Sequence, residues 1–160
     1  MAAPVSETIA ALVKTRLAAV TTTNGYEVTV DGVTRPVKLD ESKTAKHLHV
    51  IVTQGDAVRF PALDCPGNPP AIAWSIPFIV AGITRPSEEH TDPIDKWRNV
   101  FWADMVKGLT NATAWHNWNQ NAIDTLFGDV VPFEEDGTAG VQFPVIVTYR
   151  HDENDPYTAR

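Results

Sequence analysis

Val141-Gln142-Phe143-Pro144-Val145-Ile146-Val147-Thr148-Tyr149 is the segment on which the fold turns. Val141, Phe143, Val145, Val147 and Tyr149 recur at every second position, the period of a strand with one buried face. Pro144 lacks the N–H that a ladder needs, which predicts an edge or bulged strand. Upstream, Ala71–Ile83 repeats the pattern, with Trp74, Ile76, Phe78 and Val80 on one face, and Pro77 carries the same edge-or-bulge expectation. His47–Thr53 is another strand, with Leu48, Val50 and Val52 opposite His47, His49, Ile51 and Thr53, and Gln54-Gly55-Asp56 ends it. Ahead of it Tyr26, Val28 and Val30 alternate with polar residues, and Asp31-Gly32 has the composition of a two-residue type I′ turn. Val33, Arg35, Val37 and Leu39 then return, predicting a hairpin whose second arm Pro36 demotes to an edge. Ala122–Phe133 reads as strand with a break at Gly128-Asp129, and Glu134–Thr138 as an acidic turn.

Two segments change period. Val5, Ile9, Leu12, Val13, Leu17 and Val20 fall at steps of three and four, an amphipathic helix with Pro4 in its first turn. Ile94, Trp97, Phe101, Met105 and Leu109 form a second stripe, with Asp92 as N-cap, Pro93 at the first helical position and Trp102 at its margin. Asp40–Lys46 and Arg85–Thr91 are polar connectors. The order α-β-β-β-β-α-β-β predicts an α+β fold: a two-layer arrangement of a mostly antiparallel sheet of five or six strands packed by two amphipathic helices. With 160 residues and 43% hydrophobic content the chain suits one domain with a real core. That domain, 1–160, is expected to carry an extended Pro-rich loop at 61–70 and a polar C-terminal tail at 151–160.

Charge and composition exclude several classes. The formal net charge of −7 opposes a protein that grips phosphates along nucleic acid. A single cysteine, Cys65, removes disulfide frameworks and cysteine-rich zinc sites. No stretch approaches the ~20 apolar residues of a membrane helix, and Met1–Glu7 lacks the basic start and apolar run of a signal peptide. The expectation is a soluble intracellular product.

Candidate chemistry is sparse. His47 and His49 share a strand face, the right direction for a common metal, with Asp56, His90 or His151 as a third ligand. Ile51 and Thr53 on that face favour a structural histidine pair. Cys65, in Leu63-Asp64-Cys65-Pro66-Gly67, has no following helix to lower its pKa, because Pro66 and Pro69-Pro70 forbid one. Asn111-Ala112-Thr113 matches a glycosylation sequon only formally. Neither a nucleophile elbow nor a phosphate-cradling glycine loop is present. The reading is of a protein without catalytic residues, cofactor or metal. Of five tryptophans, Trp97 and Trp74 belong to apolar faces. Trp115 and Trp118 lie instead in the polar run Trp-His-Asn-Trp-Asn-Gln-Asn, as aromatic anchors of partner surfaces do.

In the C-terminal third, Trp118-Asn119-Gln120-Asn121-Ala122-Ile123, Gly128-Asp129-Val130-Val131-Pro132-Phe133-Glu134, Val145-Ile146-Val147-Thr148-Tyr149-Arg150 and Asp155-Pro156-Tyr157 carry a resemblance. They resemble the tail-terminator (tail-completion, minor tail) proteins of long-tailed bacteriophages, which also open with an amphipathic helix and carry a long second one. In that family glycines often follow the tryptophan, where this chain has Asn119, Gln120 and Asn121. The resemblance implies a small α/β subunit of a homohexameric ring that caps the tail tube, ends its polymerisation and docks the head connector. Its implied partners are further copies of itself, the major tail tube protein and the head-tail connector, with DNA passing through the ring unbound. Its implied place is the virion neck, after assembly in the host cytoplasm. Trp115, Trp118, Arg150, Asp155, Pro156 and Tyr157 are then expected at subunit or partner contacts, and Glu134, Glu135 and Asp136 on the channel side.

Three competing expectations remain. Another neck component, a head-closure or adaptor protein, tends to be a smaller β-barrel or a helical bundle. A carbohydrate- or ligand-binding module would use Trp115 and Trp118. A metal-dependent enzyme would use His47 and His49.

Overall fold

The structure is a computed structural model that describes residues 3–36, 48–84, 93–111, 115–135 and 138–160, with the side chain of Glu135 outside that description. Helix α1 (Val5–Ala18) and helix α2 (Ile94–Thr110) accompany one eight-stranded sheet. Its strands are β1 (Gly32–Thr34), β2 (Leu48–Gln54), β3 (Val58–Arg59), β4 (Ala71–Thr84), β5 (Asp124–Phe127), β6 (Val131–Glu135), β7 (Thr138–Asp152) and β8 (Asp155–Ala159). Only β1 runs parallel to its neighbour, β2; the other pairings are antiparallel. The chain therefore has the expected α+β fold, helices packing on a mostly antiparallel sheet.

β4 and β7 form the middle of the sheet, all 14 residues of β4 paired with β7 from Ala71↔Asp152 to Thr84↔Ala139. This corrects the edge-strand expectation drawn from Pro77 and Pro144. Short segments replace one another along the outer side of each central strand: β3 then β2 beside β4, and β8, β5 and β6 beside β7. Pro77 lies where β2 has ended and β3 lies beyond, and its carbonyl accepts the Gly55 N–H at 2.8 Å. Pro144 lies between β5 and β6, and its carbonyl accepts the Gly128 N–H at 2.9 Å. In a strand, the N–H and C=O of one residue point to the same side. Each proline thus turns its donor-less nitrogen toward a break in the neighbouring strand, and no ladder bond is lost. The glycines complete the fit. A Cβ on Gly55 would lie 2.9 Å from Pro77 Cγ, and one on Gly128 would overlap the Pro144 ring.

The helices cover one face. Val5, Ile9, Val13 and Leu17 from α1 and Phe101, Met105 and Leu109 from α2 join Ile76, Phe78, Val80, Val141, Phe143, Val145 and Val147 in the buried core. Gly82 is where α2 comes closest, since any Cβ there would overlap the Phe101 ring and reach within 2.9 Å of Met105 Cε. At the helix starts, Pro4 and Pro93 occupy the N-cap positions and accept the N–H groups of Thr8 and Trp97. Asp92, expected as a cap, lies outside the described residues, as do Val37, Leu39 and the connectors 40–46 and 85–91.

Three local expectations are overturned. Tyr26–Val30 does not pair with 33–36, the described part of the expected second arm, as a hairpin. The Asp104 carboxylate on α2 takes the N–H groups of Glu27 (2.7 Å) and Val28 (2.9 Å), and Val30 N–H goes to Val20 C=O (2.9 Å). These donors are committed away from the 33–36 segment, and Asp31-Gly32 leads into parallel strand β1. Second, the loop 61–70 is no extended arm. Cys65 and Ala71 exchange both backbone bonds (2.9 and 3.0 Å), and Asp64 accepts Ala73 N–H and Arg59 Nη2. Third, the tail 151–160 completes β7 and folds back as β8, with Arg160 paired to Asp152. No helix among the described residues is long and apolar enough to cross a membrane.

Two outcomes follow from the packing. Gly82→Ala forces the Phe101 ring off its seat and lowers unfolding free energy by about 1–3 kcal/mol in urea titrations. Tyr149 is buried, and burial raises its phenol pKa above the usual 10.0 while a bond with Ser6 draws it partly back. Its folded pKa therefore exceeds its unfolded one, so its contribution is complete below pH 10 and declines as pH rises through the folded value. Tyr149→Phe removes that alkaline loss, read from denaturant midpoints measured across the alkaline range.

Candidate functional site

The tryptophan segment that stood out in the sequence is a structural anchor. Trp115–Asn117 makes one 3-10 turn, after which Trp118, Asn119 and Gln120 take φ values of 47°, 59° and 70°. This left-handed run reverses the chain and drives Trp118 inward, where it has 0% exposure. Trp118 Nε1 donates to Thr125 Oγ1 at 2.7 Å, and the Thr125 hydroxyl donates to His116 C=O at 2.8 Å. The Arg16 guanidinium lies 4.2 Å above the Trp118 ring and donates to Leu109 C=O (2.9 Å) and Trp115 C=O (3.2 Å). Arg16 therefore ties both helices to the segment ahead of β5, and burial holds its pKa below the usual guanidinium value. Trp118 is thus no partner anchor. Its polar neighbours in sequence reflect the exposed side of a tight turn, with the ring on the other. Trp115 is half-buried and stacks on Phe127 at 5.7 Å.

The remaining expected contact residues divide between two places. Arg150, on β7, reaches the Leu63–Cys65 turn, bonding Cys65 Sγ and lying 3.5 Å from Leu63 C=O. Cys65, Asn68, Pro69, Arg150 and Arg160 line an open cavity at that corner. The cavity places a cation beside a thiol, but arginine, asparagine and proline side chains supply no base to take the thiol proton. Asp155, Pro156 and Tyr157 belong to β8. The Asp155 carboxylate accepts Tyr157 N–H at 3.0 Å, and its pKa is lowered chiefly by a Thr158 hydrogen bond, then by this one. Tyr157 is 51% exposed and free to meet another molecule.

Of the expected acidic turn, Glu134 and Glu135 are instead strand residues of β6, and Glu134 pairs with Arg98 of α2. The pairing follows from the register, because Glu134 opposite Ala139 points to the helix-covered side. The side chain of Glu135 and the whole of Asp136 lie outside the described residues, as do His47 and His90. His49 is buried and bonded through Nε2 to Thr34 Oγ1 at 2.7 Å. His151 is buried and stacks on Trp74. Among the described residues no group of three or more His, Cys, Asp or Glu stands close enough to hold a metal ion. Asp104 and Arg16, the two charged side chains with most structural consequence, were not singled out in the sequence. The only hint was a charged residue within an otherwise apolar helical face.

No protein-family model matches the chain, and no curated protein matches it.

The left-handed run yields a stability test at an exposed position. Gln120 holds φ 70°, a conformation that costs a residue with a Cβ roughly 1 kcal/mol and glycine little. Gln120→Gly therefore keeps or raises the melting temperature, whereas Gln120→Val lowers stability by about 1–2 kcal/mol, since β-branching worsens the strain.

Proposed function

We propose that the chain is a structural subunit of a bacteriophage tail terminator: a ring that caps the tail tube, halts its growth and presents a face to the head connector. The observation that carries this reading is the left-handed run after Trp118. The sequence resemblance puts glycines after this tryptophan, and here Asn119 and Gln120 take φ 59° and 70°, the backbone region glycine favours. The side chains differ while the turn is of the kind those glycines serve. The order of elements agrees: an opening amphipathic helix, a sheet and a long second helix ahead of the tryptophan segment.

The subunit acts by shape, and its net charge of −7 suits a passage that DNA slides through without being held. A ring needs a heterologous contact that closes on itself. The exposed Pro156-Tyr157 arm of β8 offers one element of it, in place of the buried Trp118. Burial of Trp118 and stacking of Trp115 on Phe127 favour this reading over a sugar-binding module built on those two rings.

Co-expression with a tail tube protein tests the reading by electron microscopy. Tubes of limited length bearing a ring at one end are the expected result. Open-ended tubes of unlimited length, with the chain free in solution, would overturn it.

A further inference from the structure

An antiparallel sheet covered on one side usually turns polar residues to water on the other. Here, among the described residues, the side without helices is largely apolar, although Gln142 and Thr148 of β7 and His49 of β2 also fall on it. The ladder places Ile51 and Thr53 of β2, Pro77, Ile79, Ala81 and Ile83 of β4, and Pro144 and Ile146 of β7 opposite the helix-covered face. Leu126 pairs with Ile146 and Val131 with Gln142, which extends the surface across β5 and β6. Leu126 is 60% and Val131 48% exposed, and the central isoleucines are only half-buried. Between the level of Ser75 and that of Ile83, β2, β4 and β7 present no charged side chain on this face. Charge returns at the rim, with Asp124 on β5 and Arg150 and Asp152 on β7. An apolar centre inside a polar rim is the anatomy of a protein interface.

We propose that this open sheet face is where a second copy of the chain docks. Two observations select a copy over other occupants. Each copy carries −7, with 20 acidic side chains against 13 basic ones, so contacts between charged surfaces work on balance against a net repulsion. A face without charge is where two such molecules approach within the ~8–10 Å over which salt no longer screens them. The size also fits. Nine residues of β4 at ~3.4 Å and four strands at ~4.8 Å project to roughly 500–600 Å². Side-chain relief brings that toward the ~800 Å² per partner of a stable interface. The chain's own segments 37–47 and 85–92 contain Lys38, Asp40, Glu41, Lys43 and Lys46, and Arg85, Glu88, Glu89 and Asp92. They are poor cover for an apolar sheet.

The inference rests on the reading that copies of this chain associate, and names one of the two patches a heterologous contact between them uses. Sedimentation velocity on the full chain tests it, comparing wild type with Leu126→Glu, Ile146→Glu and, on the opposite helix layer, Trp102→Glu. Leu126 is exposed enough to accept a carboxylate without unfolding, which circular dichroism melts check. Wild type and Trp102→Glu are expected to self-associate, and both sheet-face variants to weaken association about a hundredfold by burying an unpaired charge. Undiminished association of folded Leu126→Glu and Ile146→Glu, or a wild-type chain that sediments as a monomer up to its solubility limit, would overturn the proposal. The tube assay separates the two readings. Variants that associate normally and still cap tubes sink this surface and leave the terminator standing. Wild type that associates through this face yet caps nothing does the reverse.

Discussion

The pairing of β4 with β7 is the constraint on which the rest of the molecule depends. All 14 residues of β4 take part, and every other strand hangs on one of these two or, as β1 does, on β2 beside them. A proline inside a central strand ordinarily breaks such a ladder. Here Pro77 and Pro144 both turn their nitrogens outward, each toward a gap where a glycine follows the end of the neighbouring strand. The two devices sit two residues apart in register, Pro77 opposite Ile146 and Ile79 opposite Pro144. The breaks in the flanking strands are thus matched to a centre whose ladder runs without interruption.

On that platform two charged side chains position the irregular parts. Asp104 gathers the amides of Glu27 and Val28, and Arg16 gathers carbonyls of Leu109 and Trp115 while covering Trp118. Charge-assisted bonds are stronger than neutral ones, and leaving such partners unmade in a partly buried setting is costly. These residues fix the two segments that local pattern left ambiguous. They also explain why the tryptophan run supports the core.

Much of the fold was legible in one dimension. Both helices lie on the stripes Val5–Val20 and Ile94–Leu109, because an apolar period of 3.6 has one way to bury itself, although Val20 falls just past the end of α1 and Ile94 is exposed. β2, β4 and β7 follow their period-two patterns for the same reason. The candidate site was less legible. Exposure of Trp118 was inferred from polar neighbours, and a left-handed turn defeats that inference by separating one residue from the next. Glu134 read as a free acid because its partner Arg98 is 36 residues away.

The amino-acid order alone determined which residues are apolar, with what period, and hence which elements form and which of their faces seek cover. Only the tertiary structure decided that two proline-bearing strands are central, that Asp31-Gly32 opens a parallel strand, and that among the described residues the helices cover one sheet face alone. The reason is physical: a side chain's period is set by its neighbours in the chain. Where a backbone N–H finds its acceptor depends on what the fold brings beside it.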